Sequence, residues 1–479
     1  MKLNGKTIVE LHGMLVRKEI TPLDLVQEAI KSAKANHNNA FELIVEKEAI
    51  KIAKQLTEPE VDNYLWGIPF VMKDNISTKG IVTTASSNIL NVYVPVFDAT
   101  VYRLLKRRKA ILIGKTTMDE LAMGGYGTTG HKGVQTNPYD SSRVAGGSSS
   151  GSAIAVAARI VPFALGSDTG DSVRKPAFYN GLVGYKGTYG AISRFGLFAF
   201  SCSLDHVGFF TRSVLDAAIL FNLLAQKDEK DATSMKVKKV SLDKDIKTPT
   251  FMILDDLISL ITDEDILKQY FASIKKLEAL GVKVIHRSFG IDLLSAIYPV
   301  YMVLSCADAT SNCAALDGIR YGAKYSGNTY EEIIFAARNQ GFSSSTKQRF
   351  VFGSFCLMEE NQEELYLKAQ KARRLISDRL NHLLNECDVL YLPSASVAPK
   401  LETIKQPQTN EALIVENYLA LANFNGSPSL SLPLGAKKGL PFGVNLIGRT
   451  FADEVVFKCA LLVEKSNAFK MNPPGEPHE

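Results

Sequence analysis

Apolar positions along the chain follow two rhythms, and their alternation predicts the fold class. Short, nearly continuous apolar runs bounded by turn-forming residues read as buried strands: GIPFVM ending at Met72, AILIG at 110–114, IVPFAL at 160–165, FMIL at 251–254, GVKVIH at 281–286, DVLYLP at 388–393, and PSLSLPLG and GVNLIG in the tail. Between them the apolar residues recur at helical spacing. Residues 21–35 predict a helix with Thr21 as N-cap, Pro22 in the first position and Asp24 in the first turn. Residues 263–280 place Ile266, Leu267, Tyr270, Phe271, Ile274 and Leu277 on one face behind Thr262 as cap. Further helices are predicted at about 100–108, in the buried run 296–316, in the amphipathic stretch 361–386, and from about Asp453 to Lys465. Strands alternating with helices predict an α/β fold.

The chain is read as one domain over 1–479: a helical N-terminal segment to about 60, a core over about 61–226 and 249–470, and a charged surface connection at about 227–248. Composition changes this picture little. With 46% hydrophobic and 22% charged residues, disorder is excluded, and a net charge of +5 spread over 55 basic and 50 acidic residues does not argue for a nucleic-acid surface. The basic cluster Lys106 to Lys109 reads as a solvated helix end. From spacing alone, Lys73 after the first apolar run reads as a surface charge. Six cysteines without a CxxC pair suggest neither a zinc site nor a disulfide framework, and fit a reducing cytoplasm. The first twenty residues have no apolar signal core, and no eighteen-residue uncharged apolar window stands out, so export and membrane spanning are not expected.

The chemistry concentrates between Arg143 and Arg174, RVAGGSSSGSAIAVAARIVPFALGSDTGDSVR. Two Gly/Ser-rich loops flank an Ala-rich helix and the strand IVPFAL, and the second loop sits where α/β sheets keep their chemistry, at a strand end. The string Gly147–Ser148–Ser149–Ser150–Gly151 matches the nucleophile elbow G-x-S-x-G on Ser149, but an elbow follows a strand, whereas NPYDSS at 137–142 is turn-forming. No Gly-Lys-Ser/Thr follows the glycines, so a phosphate-binding P-loop does not fit either. Two glycine-rich turns packing a helix on a sheet remain a purely structural alternative.

The segments GIPFVMKDN, GGSSSGSAIAVAA, GSDTGDSVRKPA, GYKGTYGAISRFGLFAFSCSLD and GLPFGVNLIG together resemble the amidase signature family, in order and spacing, over almost the whole chain. The resemblance implies a central mixed β-sheet flanked on both faces by helices. It implies a Ser-Ser-Lys set with Ser172 as nucleophile, Ser148 as bridging serine behind a cis Gly147–Ser148 bond, and Lys73 as base. The oxyanion would lie on the backbone of Thr169, Gly170, Asp171 and Ser172. Serine needs a base close by, and lysine serves only when burial or a nearby cation makes it neutral, so Lys73 is expected to be buried. Ser148 would pass the proton from Ser172 to Lys73 and return one to the leaving amine.

Within that family, KTTMDELAMGG, YGAISRFGLFAFSCSLDHVGFFTRSV and LDGIRYG are most similar to the subunits that free ammonia from glutamine for tRNA-dependent amidation of Glu-tRNA(Gln) or Asp-tRNA(Asn). This implies Arg349 on the glutamine α-carboxylate and Glu416 on its α-amino group. It implies B and C subunits in a heterotrimer, with ATP and Mg used by the partner, tRNA held mainly there, and no cofactor or metal in this chain. A stand-alone amidase acting on another small amide would need the same triad but not Arg349, and a binding module would need neither. Several positions depart from the family pattern: Asp171 and Ser150 stand where glycines are usual, Lys175 for glutamine, and Ala145 and Gly187 for prolines.

Overall fold

In the computed structural model, which describes residues 5–243 and 246–475, eleven strands form one sheet. They are β1 (Phe41–Ile44), β2 (Pro69–Lys73), β3 (Ile111–Thr116), β4 (Phe163–Asp168), β5 (Val183–Lys186), β6 (His206–Thr211), β7 (Thr250–Leu254), β8 (Lys283–Arg287), β9 (Val389–Pro393), β10 (Ser429–Lys437) and β11 (Leu440–Gly448). Their order is β1-β3-β2-β4-β6-β5-β10-β11-β9-β7-β8. The sheet is mixed: β2 runs parallel to β3 and β4, β7 to β8 and β9, and the remaining pairs are antiparallel. Residues 244 and 245 of the charged connection lie outside the described residues, as do 1–4 and 476–479.

The near-continuous apolar runs follow from burial on both faces. Along β2, Phe70 and Met72 join one hydrophobic cluster while Val71 joins another; in β4, Phe163 and Leu165 separate in the same way from Ala164. The second cluster is filled by the helices Pro22–Lys34 and Ser150–Ala157, the latter small-chained and wholly buried, so that it lies close to the strands. The first takes the helices Ile8–Val16, Thr100–Arg107 and Val214–Leu224. Phe70 and Phe163 stack across β2 and β4 at 5.2 Å between ring centroids.

The Thr21 cap forms as expected, with Asp24 reciprocating in a capping box. Other local expectations are corrected. The helix Glu264–Ala279 is capped by Asp263 rather than Thr262, because the Asp263 carboxylate accepts from Ile266 N. The helix expected at 361–386 does form, as Glu359–Gln362, the π-helical turn Glu363–Leu367 and Lys368–Leu384 in unbroken succession, whereas the one expected at 296–316 starts earlier, as Ile291–Asn312 with Pro299 inside it. By length and composition, residues 291–315 could cross a membrane; here half of that apolar window is buried, and the helix packs against the helices Ser344–Leu357 and Lys368–Leu384. Strands β1, β5 and β6 are additional to those read from the sequence.

Candidate functional site

Parallel pairing of β2 with β3 and β4 brings three C-terminal strand ends to one edge. Lys73 is the last residue of β2 and is fully buried. Its Nζ donates to Ser148 Oγ (2.7 Å), Ser167 Oγ (2.9 Å) and the Ser167 carbonyl (3.3 Å), and Asn75 Nδ2 holds the same Ser167 hydroxyl at 2.9 Å. Burial strips the ammonium of water and lowers its pKa to about 7, against the opposing pull of Asp119, Asp168, Asp205 and Asp171. No carboxylate touches the amine among the described residues.

Ser148 belongs to the loop that starts the helix Ser150–Ala157, and the Gly147–Ser148 bond is cis. Close packing requires the glycine here: a Cβ on Gly147 would lie 2.0 Å from Asp119 Oδ2. That carboxylate is occupied by the backbone N–H groups of Gly127, Thr128 and Thr129, and Asp119 N donates to Ser148 O (3.2 Å). Ser149 N donates to Ser172 O at 3.2 Å, tying the two loops together. Among the described residues the Ser172 hydroxyl makes no hydrogen bond, so the Lys73–Ser148 link is formed in this conformation and the Ser148–Ser172 link is not.

The turn Thr169–Ser172 leaves β4. Among the described residues its four backbone N–H groups donate to no other group. Its carbonyl side is pinned instead: the buried Arg174 guanidinium donates to Gly170 O (2.8 Å), Asp168 Oδ1 (2.8 Å), Leu419 O (2.7 Å) and Asn423 Oδ1 (2.6 Å). Burial works to raise the Asp168 carboxyl, but Arg174 and the Val173 N–H hold it well below the usual range. Asp171 does not have a positive φ, so its backbone conformation does not require glycine at this position. Gly170 is confined by Tyr301, whose ring would lie 2.8 Å from an added Cβ.

Beside this turn opens a cavity of about 560 Å³ whose wall includes Gly125, Tyr126, Gly170, Asp171, Lys175, Tyr301, Arg349 and Glu416. Arg349 Nη1 is buried without a partner among the described residues. Glu416 accepts from Tyr126 Oη (2.6 Å). The Lys175 ammonium lies 2.5 Å from Asp171 Oδ2 and 5.7 Å from the Tyr126 ring centroid. Burial acts to lower it, yet Asp171, Tyr126 and Glu416 hold it well above the ordinary amine range.

Comparison with known proteins agrees with this architecture. The Amidase family model matches residues 24–457. The chain belongs to the amidase family. The A subunit of the glutamyl-tRNA(Gln) amidotransferase of Streptococcus thermophilus is 39% identical, over 99% of both chains, and its Streptococcus pneumoniae counterpart is 38% identical over the same share. The crystal structure of the Thermotoga maritima glutamyl-tRNA(Gln) amidotransferase A subunit superposes with a TM-score of 0.82 at 35% identity, covering 99% of this chain and 98% of that one. A solved amidase matches with a TM-score of 0.81 at 29% identity, covering 96% and 99%.

The structure thus gathers Lys73, Ser148 and the turn Thr169–Ser172 at one strand edge, and sets Arg349 and Glu416 on the neighbouring wall. Sequence reasoning missed Ser167, Tyr301 and the Arg174–Asp168–Asn423 knot. Ser167 was visible inside GSDTGDS, but without a signal for its inward hydroxyl; Tyr301 lay within an apolar helix. Replacing Arg174 with Met would leave a buried carboxylate unpaired. The expected cost is about 3–5 kcal/mol, measured from the urea unfolding midpoint.

Proposed function

We propose that the chain is the glutamine-hydrolysing subunit of a tRNA-dependent amidotransferase, releasing ammonia through Lys73, Ser148 and Ser172 for amidation of Glu-tRNA(Gln), Asp-tRNA(Asn) or both by a partner subunit. The observation that carries this reading is a fully buried lysine amine, with its pKa lowered to about 7, hydrogen-bonded to Ser148 at 2.7 Å beside a turn of free N–H groups. Full-length similarity to the A subunits of glutamyl-tRNA(Gln) amidotransferases supports the choice of substrate.

On this reading glutamine enters the cavity with its α-carboxylate on the Arg349 guanidinium, whose Nη1 has no partner among the described residues, and its α-ammonium on Glu416. The first step requires the Ser172 hydroxyl to turn onto Ser148, from the neighbouring loop that Ser149 N ties to Ser172 O. Ser172 Oγ attacks the side-chain amide carbon, its proton passes to Ser148, and the Ser148 proton passes to neutral Lys73. The carbonyl oxygen becomes negative against the N–H groups of the turn, each worth about 3–4 kcal/mol in such sites. Ser148 then protonates the departing nitrogen and recovers a proton from Lys73. Water cleaves the resulting ester by the same route, giving glutamate. ATP and Mg would serve the partner that activates the tRNA-bound carboxylate, and a third subunit would complete a heterotrimer.

Ammonia release from glutamine, assayed with and without B and C subunits, tests the reading. Ser172→Ala should fall below detection and Lys73→Met by at least about a thousandfold. Near-unaltered turnover in either would sink the mechanism, and faster turnover of unrelated amides by the chain alone would favour a free-standing amidase.

The neutral amine is the working form. kcat/KM should therefore fall about tenfold per pH unit below about 7 and level off above it. A rate independent of pH between about 5.5 and 8 would exclude Lys73 as the base.

Arg349→Lys keeps the charge but loses the fork. It should raise KM for glutamine by roughly 10- to 100-fold while changing kcat less. An unchanged KM would remove Arg349 from the substrate site.

A further inference from the structure

Asp171 places a carboxylate directly before the proposed nucleophile, on a turn whose N–H groups would receive a negative oxygen. Such a side chain opposes the reaction unless something holds its charge elsewhere. In this fold the holder is Lys175. Its backbone N–H donates to Asp171 O (2.8 Å), so the two residues lie one helical turn apart on the same side. Its ammonium reaches Asp171 Oδ2 at 2.5 Å, with both side chains mostly buried. Among the described residues the Asp171 carboxylate has no other hydrogen-bond or ion-pair partner. The neighbouring Arg174 is committed to Asp168 and Asn423. Arg349 lies on the same cavity wall and forms no ion pair with Asp171.

We propose that Lys175 is a positioning residue for amide cleavage: by binding the Asp171 carboxylate it keeps that charge away from the N–H groups that stabilise the oxyanion. The proposal rests on the reading of Ser172 as nucleophile. It makes Asp171 and Lys175 a coupled pair, in which losing the lysine alone harms the reaction and losing both charges together harms it less. A lysine that only stabilised the fold would leave the labelling rate of the folded chain unchanged, so the rate rather than the unfolding midpoint separates the two roles. An unpaired charge a few ångströms from a developing one, in half-buried surroundings, changes a rate by about one to two powers of ten.

The test uses the full chain and a neutral probe, phenylmethanesulfonyl fluoride. Ser172 Oγ forms a bond to sulfur, the S–F bond breaks, fluoride leaves, and the hydroxyl proton passes through Ser148 to Lys73. The rate of Ser172 labelling, followed by mass spectrometry of the peptide, reports the turn without involving substrate charge or partner subunits.

Lys175→Met should slow labelling at least about tenfold. The Asp171→Asn/Lys175→Met double variant should recover most of that loss, and Lys175→Arg should label far faster than Lys175→Met. Labelling that Lys175→Met leaves unchanged overturns the proposal, as does a double variant no faster than Lys175→Met. If Lys175→Met does not fold, a folded double variant that labels within about tenfold of the unaltered chain supports the pairing, and one that stays unfolded or unreactive overturns it. Absence of Ser172 labelling in the unaltered chain would bring down the nucleophile reading and this proposal together, which separates that failure from failure of the pair.

Discussion

The desolvated amine of Lys73 is the constraint around which the rest is arranged. A lysine at the end of strand β2, between two parallel neighbours, can shed its proton near neutral pH only if water is excluded and no carboxylate pairs with it. Acidic residues nonetheless crowd the region, and each is tied to something else. Asp168 is held by Arg174, Asp119 by three backbone N–H groups, Asp205 by Thr169 and the N–H groups of Phe200 and Ser201, and Asp171 by Lys175. Asp74, adjacent in sequence, is paired to the buried Lys115. What remains for Lys73 is a set of hydroxyls and one carbonyl, weak enough partners to leave the amine poised between its two forms.

The same economy of partners separates chemistry from recognition. The groups under the strand ends are satisfied and rigid, whereas the neighbouring cavity keeps one guanidinium nitrogen unpartnered and a carboxylate held only by a phenol. Tyr301 joins the two regions, since its ring presses on Gly170 and also faces the cavity. A substrate filling that space would therefore lie against the backbone of the turn proposed to stabilise it.

Legibility in the sequence followed the range of the interactions. Long apolar runs such as IVPFAL announced their strands because both faces of the sheet bury them. The cap at Thr21 was local and readable; at Thr262 and Asp263 two adjacent candidates competed, and only geometry separated them. Strand β5 was missed because it is short and ends in a lysine, and β6 because histidine, glycine and threonine interrupt its apolar run. In β5, Lys186 is buried by bonds to the carbonyls of Gly187 and distant Ser427. Spacing alone left Lys73 looking like a surface charge. Its role came from likeness to the amidase signature family, and its burial depends on Ser148 and Ser167, 75 and 94 residues away.

The sheet order has a consequence for biosynthesis. By the time β6 has left the ribosome, six adjacent strands and the entire Lys73–Ser148–Ser172 cluster are available, but the flank of β5 waits for β10, more than two hundred residues later. The nascent chain thus carries an open, pairing-competent border through about half of its translation, covered only when the last hairpin arrives. Arg349 and Glu416 emerge in that same interval, so the proposed hydrolytic centre is laid down well before the wall that would choose its substrate.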